Sequence, residues 1–461
     1  MCRFCHCTYD DLPHNIHKYG SKPHEIWTVD QYDSICRKLE VNLSDSFGDT
    51  EAIEQMYSVQ DDEYELEEIE SDSFSDSDSE HDDFGVKNEC VFNKLMSFHC
   101  VTSMPPDCLH DLFEGVLAQD LLGILRIFRD KGWFTLESYN YALKQFPLSR
   151  QESSNQPQPV PIQNKVKKLV GKAVSLWCHS RIFLTIISQN GWLDDPEDDV
   201  VGLAIFLTDI TQRITAEKFE EHEVYILEEL VIQYLDLRQI LYEKFPCLLN
   251  PKPKHHFLSH YGESIRKFGP PLGYWTARYE SKHRVAKSVA ESAKNFKNIS
   301  LTTSTRQQLR MASTYYHGMF PTNEFVLPSN VRKKSDLCSS VSDRLVSSLM
   351  EDGDLMCKEI VWKDRIYQDG CVVVIERKDL LEMTVGIIKC ILIRGNNDVL
   401  FIVKRAQVVQ TYLKSFKSKT VEERLSLVRA VDLKDTYPLM KRGFGNGFYV
   451  LPHHHVSFRY E

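Results

Sequence analysis

The chain has 461 residues, 42% of them hydrophobic, which is enough for two or three domains with real cores and excludes a wholly disordered protein. No apolar run approaches the roughly 18 to 20 residues that a bilayer crossing needs, and the opening "MCRFCHCTYDDLPHN" lacks the basic-then-apolar order of a signal peptide, so no membrane partner is expected. The net charge of −11 has one source: residues 61–83 hold 13 acids and no Lys or Arg, and the rest of the chain carries +2, a balance that neither demands nor excludes nucleic acid.

Residues 1–40 are rich in Cys, His and aromatics. Cys2 and Cys5 have the two-residue gap that lets two thiolates meet one tetrahedral zinc from a turn, with His6, Cys7, His14 and His17 as further candidates; unliganded thiols are the alternative. The 13 cysteines show no regular disulfide spacing and read as mostly reduced. Residues 41–89 are acidic, Ser-rich and too poor in apolar residues to offset the entropy of ordering, so a disordered insertion is expected there.

From residue 90 the texture changes. "HDLFEGVLAQDLLGILRIFRDKGW" repeats apolar residues at i, i+3, i+4 and i+7, the stripe of an amphipathic helix, and "LESYNYALKQF" continues the signal. "VGKAVSLWCHSRIFLTIIS", "VVGLAIFLTDITQRIT" and "EHEVYILEELVIQYLDLRQILYEKF" predict three more long helices, and "ARYESKHRVAKSVAESAK" another after a Gly-Pro-Pro turn. The region 90–335 is therefore expected to be helical. Over 336–461 the runs "GCVVVIE", "TVGIIKCILIRG" and "NDVLFIVKRAQVV" are short and β-branched, and several strands in such a length predict a small barrel of SH3-like or similar type.

Two stretches carry candidate chemistry. In "MPPDCLHDLFEG", Asp107 and His110 are three apart and share a helix face, as a carboxylate and an imidazole would to reach one ion; Asp107 is equally well placed as an N-cap, and Asp111 and Glu114 suit the helix dipole. In "GYWTARYESKH", Glu280 is the one acid among Arg278, Lys282 and His283, with His255, His256 and His260 upstream. It reads either as a salt-bridge partner of Arg278 or Lys282 or as a catalytic carboxylate. No GxSxG, GxxxxGK or GxGxxG is present.

The order "CRFC", "FHCVTSMPPDCLHDLFEGVL" and "KPKHHFLSHYGESIRKFGPPLGYWTARYESKHRVAK" resembles the transposases of CACTA (En/Spm) DNA transposons, in the form found as transposon-derived proteins of animal genomes. The resemblance covers roughly residues 1–40 and 90–310. It implies an α+β chain: part of an RNase H-like nuclease with a large helical insertion, followed by the β-rich C-terminal domain. It also implies that Cys2 and Cys5 match the family's CxxC, that Asp107 and His110 match its Cys/Asp-x-x-His motif, and that Glu280 matches the third catalytic acid.

A structural Zn²⁺ through Cys2, Cys5, His110 and either Asp107 or Cys108 follows from it. The family's two catalytic Asp residues precede the CxxC, whereas only Met1 precedes Cys2 here. The expectation is thus an N-terminally truncated remnant in which Glu280 is a vestigial acid. One carboxylate cannot hold the Mg²⁺ ions of two-metal phosphoryl transfer, so no strand cleavage is expected unless an intact triad is restored. Binding of DNA or chromatin proteins, and nuclear rather than cytoplasmic residence, are further implications; an active nuclease completed by the missing half and a chromatin interaction protein are the alternatives. No small-molecule substrate is expected.

Overall fold

The computed structural model describes residues 4–5, 26–46, 89–163, 165–294, 297–318, 331–333, 346–395, 398–444 and 447–457. The chain divides into two compact units, Met1–Pro105 and Pro106–Glu461. Together they are a mixture of helix and antiparallel sheet, an α+β chain whose strands gather towards the C-terminus.

In the first unit, helix α1 (Val29–Ser46) continues past residue 40, where the acidic segment was expected to begin; residues 47–88, with the 13-acid run, lie outside the described residues. Thr28 and Gln31 cap the start of α1 reciprocally, each backbone amide meeting the other's side chain at 3.0 and 3.2 Å. The phenol of Tyr32 accepts the Cys90 amide at 3.0 Å, and Asp33 meets His99 at 3.1 Å, which ties α1 to the short helix α2 (Cys100–Ser103).

The second unit begins with a π-helical run, Cys108–Leu117, continuous with α3 (Ala118–Asp130). Helices α4 (Leu136–Gln145), α5 (Ala173–Gln189), α6 (Asp199–Ile214) and α7 (Glu221–Lys244) follow, then the short α8 (Pro253–Phe257) and α9 (Tyr261–Phe268). α5 is largely apolar, "LWCHSRIFLTII", and is buried from Ser175 to Ile187; the polar side chains it takes inside meet partners there, His179 with Tyr139 at 2.8 Å and Arg181 with Glu152 at 2.8 Å. The helical core also encloses Asp120, which accepts from Arg238 at 2.7 and 3.0 Å, from Tyr234 and, at 3.1 Å, shares a proton with His255; all four are fully buried. α10 (Ala277–Ala293) and α11 (Ile299–Tyr316) pack on each other and bury no residue completely.

Of the ten strands among the described residues, β5 (Val372–Arg377), β6 (Glu382–Arg394), β7 (Asp398–Gln410), β8 (Phe416–Arg429), β9 (Asp435–Phe444) and β10 (Gly447–Leu451) form a ring, because the sheet order β6-β5-β9-β10-β8-β7 is closed by pairing of β6 with β7. Closure leaves these strands no free edge. β1 (Arg332–Lys333) and β2 (Leu355–Cys357) extend the sheet from β6, and β3 (Glu359–Trp362) with β4 (Arg365–Gln368) makes a separate hairpin. β6 is apolar on both faces because both are covered. Met383, Val385 and Ile387 join one core with Val372, Phe416 and Val450. A bulge between Ile388 and Cys390 then shifts the parity, so that Ile388, Ile391 and Ile393 share the other face with Trp362, Tyr367 and Phe401.

Barrel and helices are joined by polar contacts rather than by apolar packing alone. Lys414 meets Asp209 at 2.6 Å, His455 meets Glu223 at 2.9 Å and donates its amide to the Gln212 carbonyl at 2.8 Å, and Ser457 donates to the Lys218 carbonyl at 2.6 Å. The run "HHH" at 453–455 is buried, and each imidazole faces an acid of a different element: Glu152, Asp435 and Glu223. The ten cysteines of the described residues are all free thiols.

Candidate functional site

Pro105 and Pro106 end the preceding segment, and Asp107 caps the π-helical run, its Oδ1 accepting the Leu109 amide at 3.3 Å while its own amide donates to Asp111 at 3.1 Å. A ten-residue π run is rare, and such widened turns concentrate at functional sites. Lys254 reaches across from α8 to donate to the His110 carbonyl at 2.8 Å, and it passes over Gly115, where a Cβ would stand 2.5 Å from the lysine Cδ. Glycine there is what lets the lysine lie down on the turn.

His110 is held through both ring nitrogens. Its Nδ1 lies 2.5 Å from Asp107 Oδ2, and its Nε2 lies 3.0 Å from Glu280 Oε1 in the first turn of α10. Thr276, just before α10, donates its hydroxyl to Asp107 Oδ2 at 2.6 Å and its amide to Oδ1 at 3.1 Å. Residues 170 positions apart in sequence thus form one chain, Thr276–Asp107–His110–Glu280. Burial disfavours the charge on Asp107, but the Thr276 donors, His110 and the Leu109 amide outweigh it and hold the carboxyl below its ordinary value. His110 and Glu280 are about half exposed.

This geometry answers how the two motifs relate. Asp107 and His110 do not converge on a common ion as their spacing suggested: Asp107 takes the Nδ1 side of the ring and orients Nε2 towards Glu280. A carboxylate in that position usually supports an imidazole rather than serving beside it as a ligand. Among the described residues, no three metal-binding side chains gather within 4.8 Å of one another around Glu280. Nor is Glu280 the salt-bridge partner of Arg278 or Lys282; its partner is His110.

Of the expected zinc ligands, Cys2 lies outside the described residues, as do His6, Cys7, His14 and His17; Cys5 is a buried residue of the first unit, and Cys108 a buried thiol whose pKa burial raises. Within the second unit, His256 and His260, one helical turn apart and buried, bring their Nε2 atoms to 3.2 Å, and Glu217, Asp435 and His454 form another group able to hold a metal ion. His255 serves the Asp120 cluster instead.

One feature was missed because the charge was averaged over the whole chain. Residues 277–316 contain eight Lys or Arg (278, 282, 284, 287, 294, 297, 306, 310) against Glu280 and Glu291, and they fall on the exposed α10–α11 hairpin. A windowed charge count would have found it. The chain matches no protein-family model, no curated protein and no solved structure.

Proposed function

We propose that this is a transposon-derived protein similar to the C-terminal part of a CACTA-type transposase, and that it binds nucleic acid without cutting it. On this reading α10 is the helix that carries the third acid of an RNase H-like nuclease, and the helices from α3 to α9 belong to the insertion before it. The observation that carries the binding half is the α10–α11 hairpin, whose eight cations and two acids are exposed and whose first turn holds Glu280. Phosphate neutralisation by Lys and Arg releases counterions, and this supplies most of sequence-independent affinity. The meeting of Asp107, His110 and Glu280 supports the resemblance, since its second motif and its third acid are brought together. On the same reading Glu280, bonded to His110 at 3.0 Å, positions that ring and the start of the hairpin. A structural zinc ion held in part by Cys2 and Cys5 belongs to the same proposal.

The test uses fluorescence anisotropy with duplex and single-stranded DNA over a range of salt. Lys287→Glu with Arg310→Glu should lower affinity, and the log–log salt slope should fall by about 0.7 to 0.9 for each lost phosphate contact. Wild type and Glu280→Gln should both leave plasmid uncut in Mg²⁺ or Mn²⁺. Cutting by the wild type that disappears in Glu280→Gln would overturn the non-cleaving reading, and salt-independent binding would overturn the role of the hairpin.

A further inference from the structure

A cavity of about 450 Å³ opens in the second unit beside the first turn of α10, within the range of roughly 300 to 1,000 Å³ typical of small-ligand sites. Its walls are aromatic. Trp177 of α5 and Trp275 stand in T-shaped contact at 6.4 Å, His453 lies 4.1 Å from Trp177, and Tyr437 stacks on His453 at 3.5 Å.

The same walls carry polar atoms with nothing to bond. Trp177 Nε1, Arg365 Nε and His453 Nδ1 are buried and without hydrogen-bond partners, and Trp177 and His453 are each 6% exposed. Glu152 lies 2.8 Å from Arg181 and 3.3 Å from His453 Nε2, yet neither oxygen is aligned to accept a regular hydrogen bond. Burial among Arg181, His454 and Arg365 keeps the His453 ring neutral, so of its two nitrogens one donates and the other accepts. Leaving such groups dry and unpaired is unfavourable, so their concentration in one cavity needs a reason. At the mouth, Arg278 is exposed and no carboxylate of the described residues pairs with it.

We propose that this cavity binds a nucleotide: a planar heterocycle stacked on Trp275, its edge meeting the N–H donors of Trp177 and Arg365 and the ring nitrogen of His453, and its phosphate at Arg278. An apolar ring would leave the three polar atoms unpaired, and at the mouth a cationic ligand would meet Arg278, the one arginine of the three that no carboxylate offsets, since Arg181 faces Glu152 and Arg365 faces Glu217. Only a heterocycle with both donors and acceptors, carrying an anion, satisfies walls, edge and mouth together. The nucleotide is either free or one unpaired position of a strand held by the hairpin; the second case deepens the nucleic-acid reading, and the first stands without it.

The full chain is titrated with each of the four nucleoside monophosphates, with the corresponding nucleosides, with ribose 5-phosphate and with a single-stranded oligonucleotide, reading tryptophan fluorescence and calorimetry. Saturable binding of at least one monophosphate is expected, weakened about tenfold by Trp275→Ala, in line with what a base stacked on an aromatic side chain loses. Arg278→Ala should weaken the nucleotide but not the nucleoside; it changes an exposed side chain, and a melt checks that both variants are folded. If the oligonucleotide responds to Trp275→Ala, which leaves the hairpin cations unchanged, the pocket holds part of a strand. Monophosphate binding without oligonucleotide binding keeps the pocket and refutes the nucleic-acid reading. Monophosphate binding together with oligonucleotide binding indifferent to Trp275→Ala assigns the pocket to a free nucleotide and the strand to the hairpin. No monophosphate binding, or equal affinity for ribose 5-phosphate, overturns the proposal.

Discussion

The buried carboxylate of Asp120 and the half-exposed one of Glu280 show how little residue type says about role. Both are acids facing a histidine, but Asp120 is also clamped by Arg238 and Tyr234 in the helical core, and the Arg238 guanidinium together with His255 holds it ionised against burial. Asp120→Asn leaves the Arg238 guanidinium buried without its counter-charge, which should cost about 3 to 5 kcal/mol in urea denaturation; a loss under about 1 kcal/mol would mean that Arg238 finds another partner. At the candidate site, Thr276→Val removes the hydroxyl that Asp107 accepts and should cost about 1 to 2 kcal/mol at neutral pH. Because Asp107 titrates below its ordinary 3.8 when folded, its contribution is complete above that value and fades as pH falls below it. The gap between variant and wild type in thermal melts should narrow over the same interval.

Among elements, α3 and α6 each contain a glycine that alanine would improve on propensity by about 1 kcal/mol. Their surroundings give opposite signs. A Cβ on Gly123 would stand 2.6 Å from the Leu248 carbonyl oxygen, a backbone atom that cannot swing aside, whereas one on Gly202 would make an ordinary 3.4 Å contact with Leu237. Gly123→Ala should therefore lose about 1 to 3 kcal/mol through overpacking while Gly202→Ala gains up to about 1, as read by the midpoints of thermal unfolding. Equal shifts in one direction would contradict the packing of α3 on residues 248 and 249. The helix α5 makes the related point from sequence: its long apolar run announces burial but not what covers it, nor that Arg181 within it faces Glu152.

For the second unit as a whole, acid is the informative stress. His179 and His455 are buried and neutral, with burial as the main cause, their pKa values brought down to about 3 and about 4; His255 and His453 move the same way. Unfolded, each takes a proton near 6.5, so below that pH the unfolded state binds more protons and stability is lost as pH falls, by on the order of 3 kcal/mol for His455 alone. Glu223, held down to about 2 largely by His455, extends the loss below its ordinary 4.5. His454 works against the trend, since Asp435 raises its pKa against burial. Denaturation midpoints should fall steadily from pH 7 to 4, and a flat profile would refute the neutral state of these rings. Since His453 and His455 face acids of the helical half, barrel and helices should loosen together.

What sequence alone determined is what periodicity and composition encode locally. The helices over residues 108 to 244, the helix through Glu280, the β-branched strands after residue 371, and Asp107 as a cap follow from spacing, since period 3.6 or 2 and a proline pair act within a few residues. Only tertiary structure decided that a sixth strand closes the ring, that the bulge at Ile388 switches the faces of β6, and that Asp107 orients His110 towards Glu280 instead of sharing an ion with it. Those outcomes depend on contacts between residues tens to hundreds of positions apart, which local pattern does not carry. The cavity beside α10 is the extreme case: Glu152, Trp177, Trp275, Arg365 and His453 come from five separate stretches, and nothing in any one of them marks it as a wall.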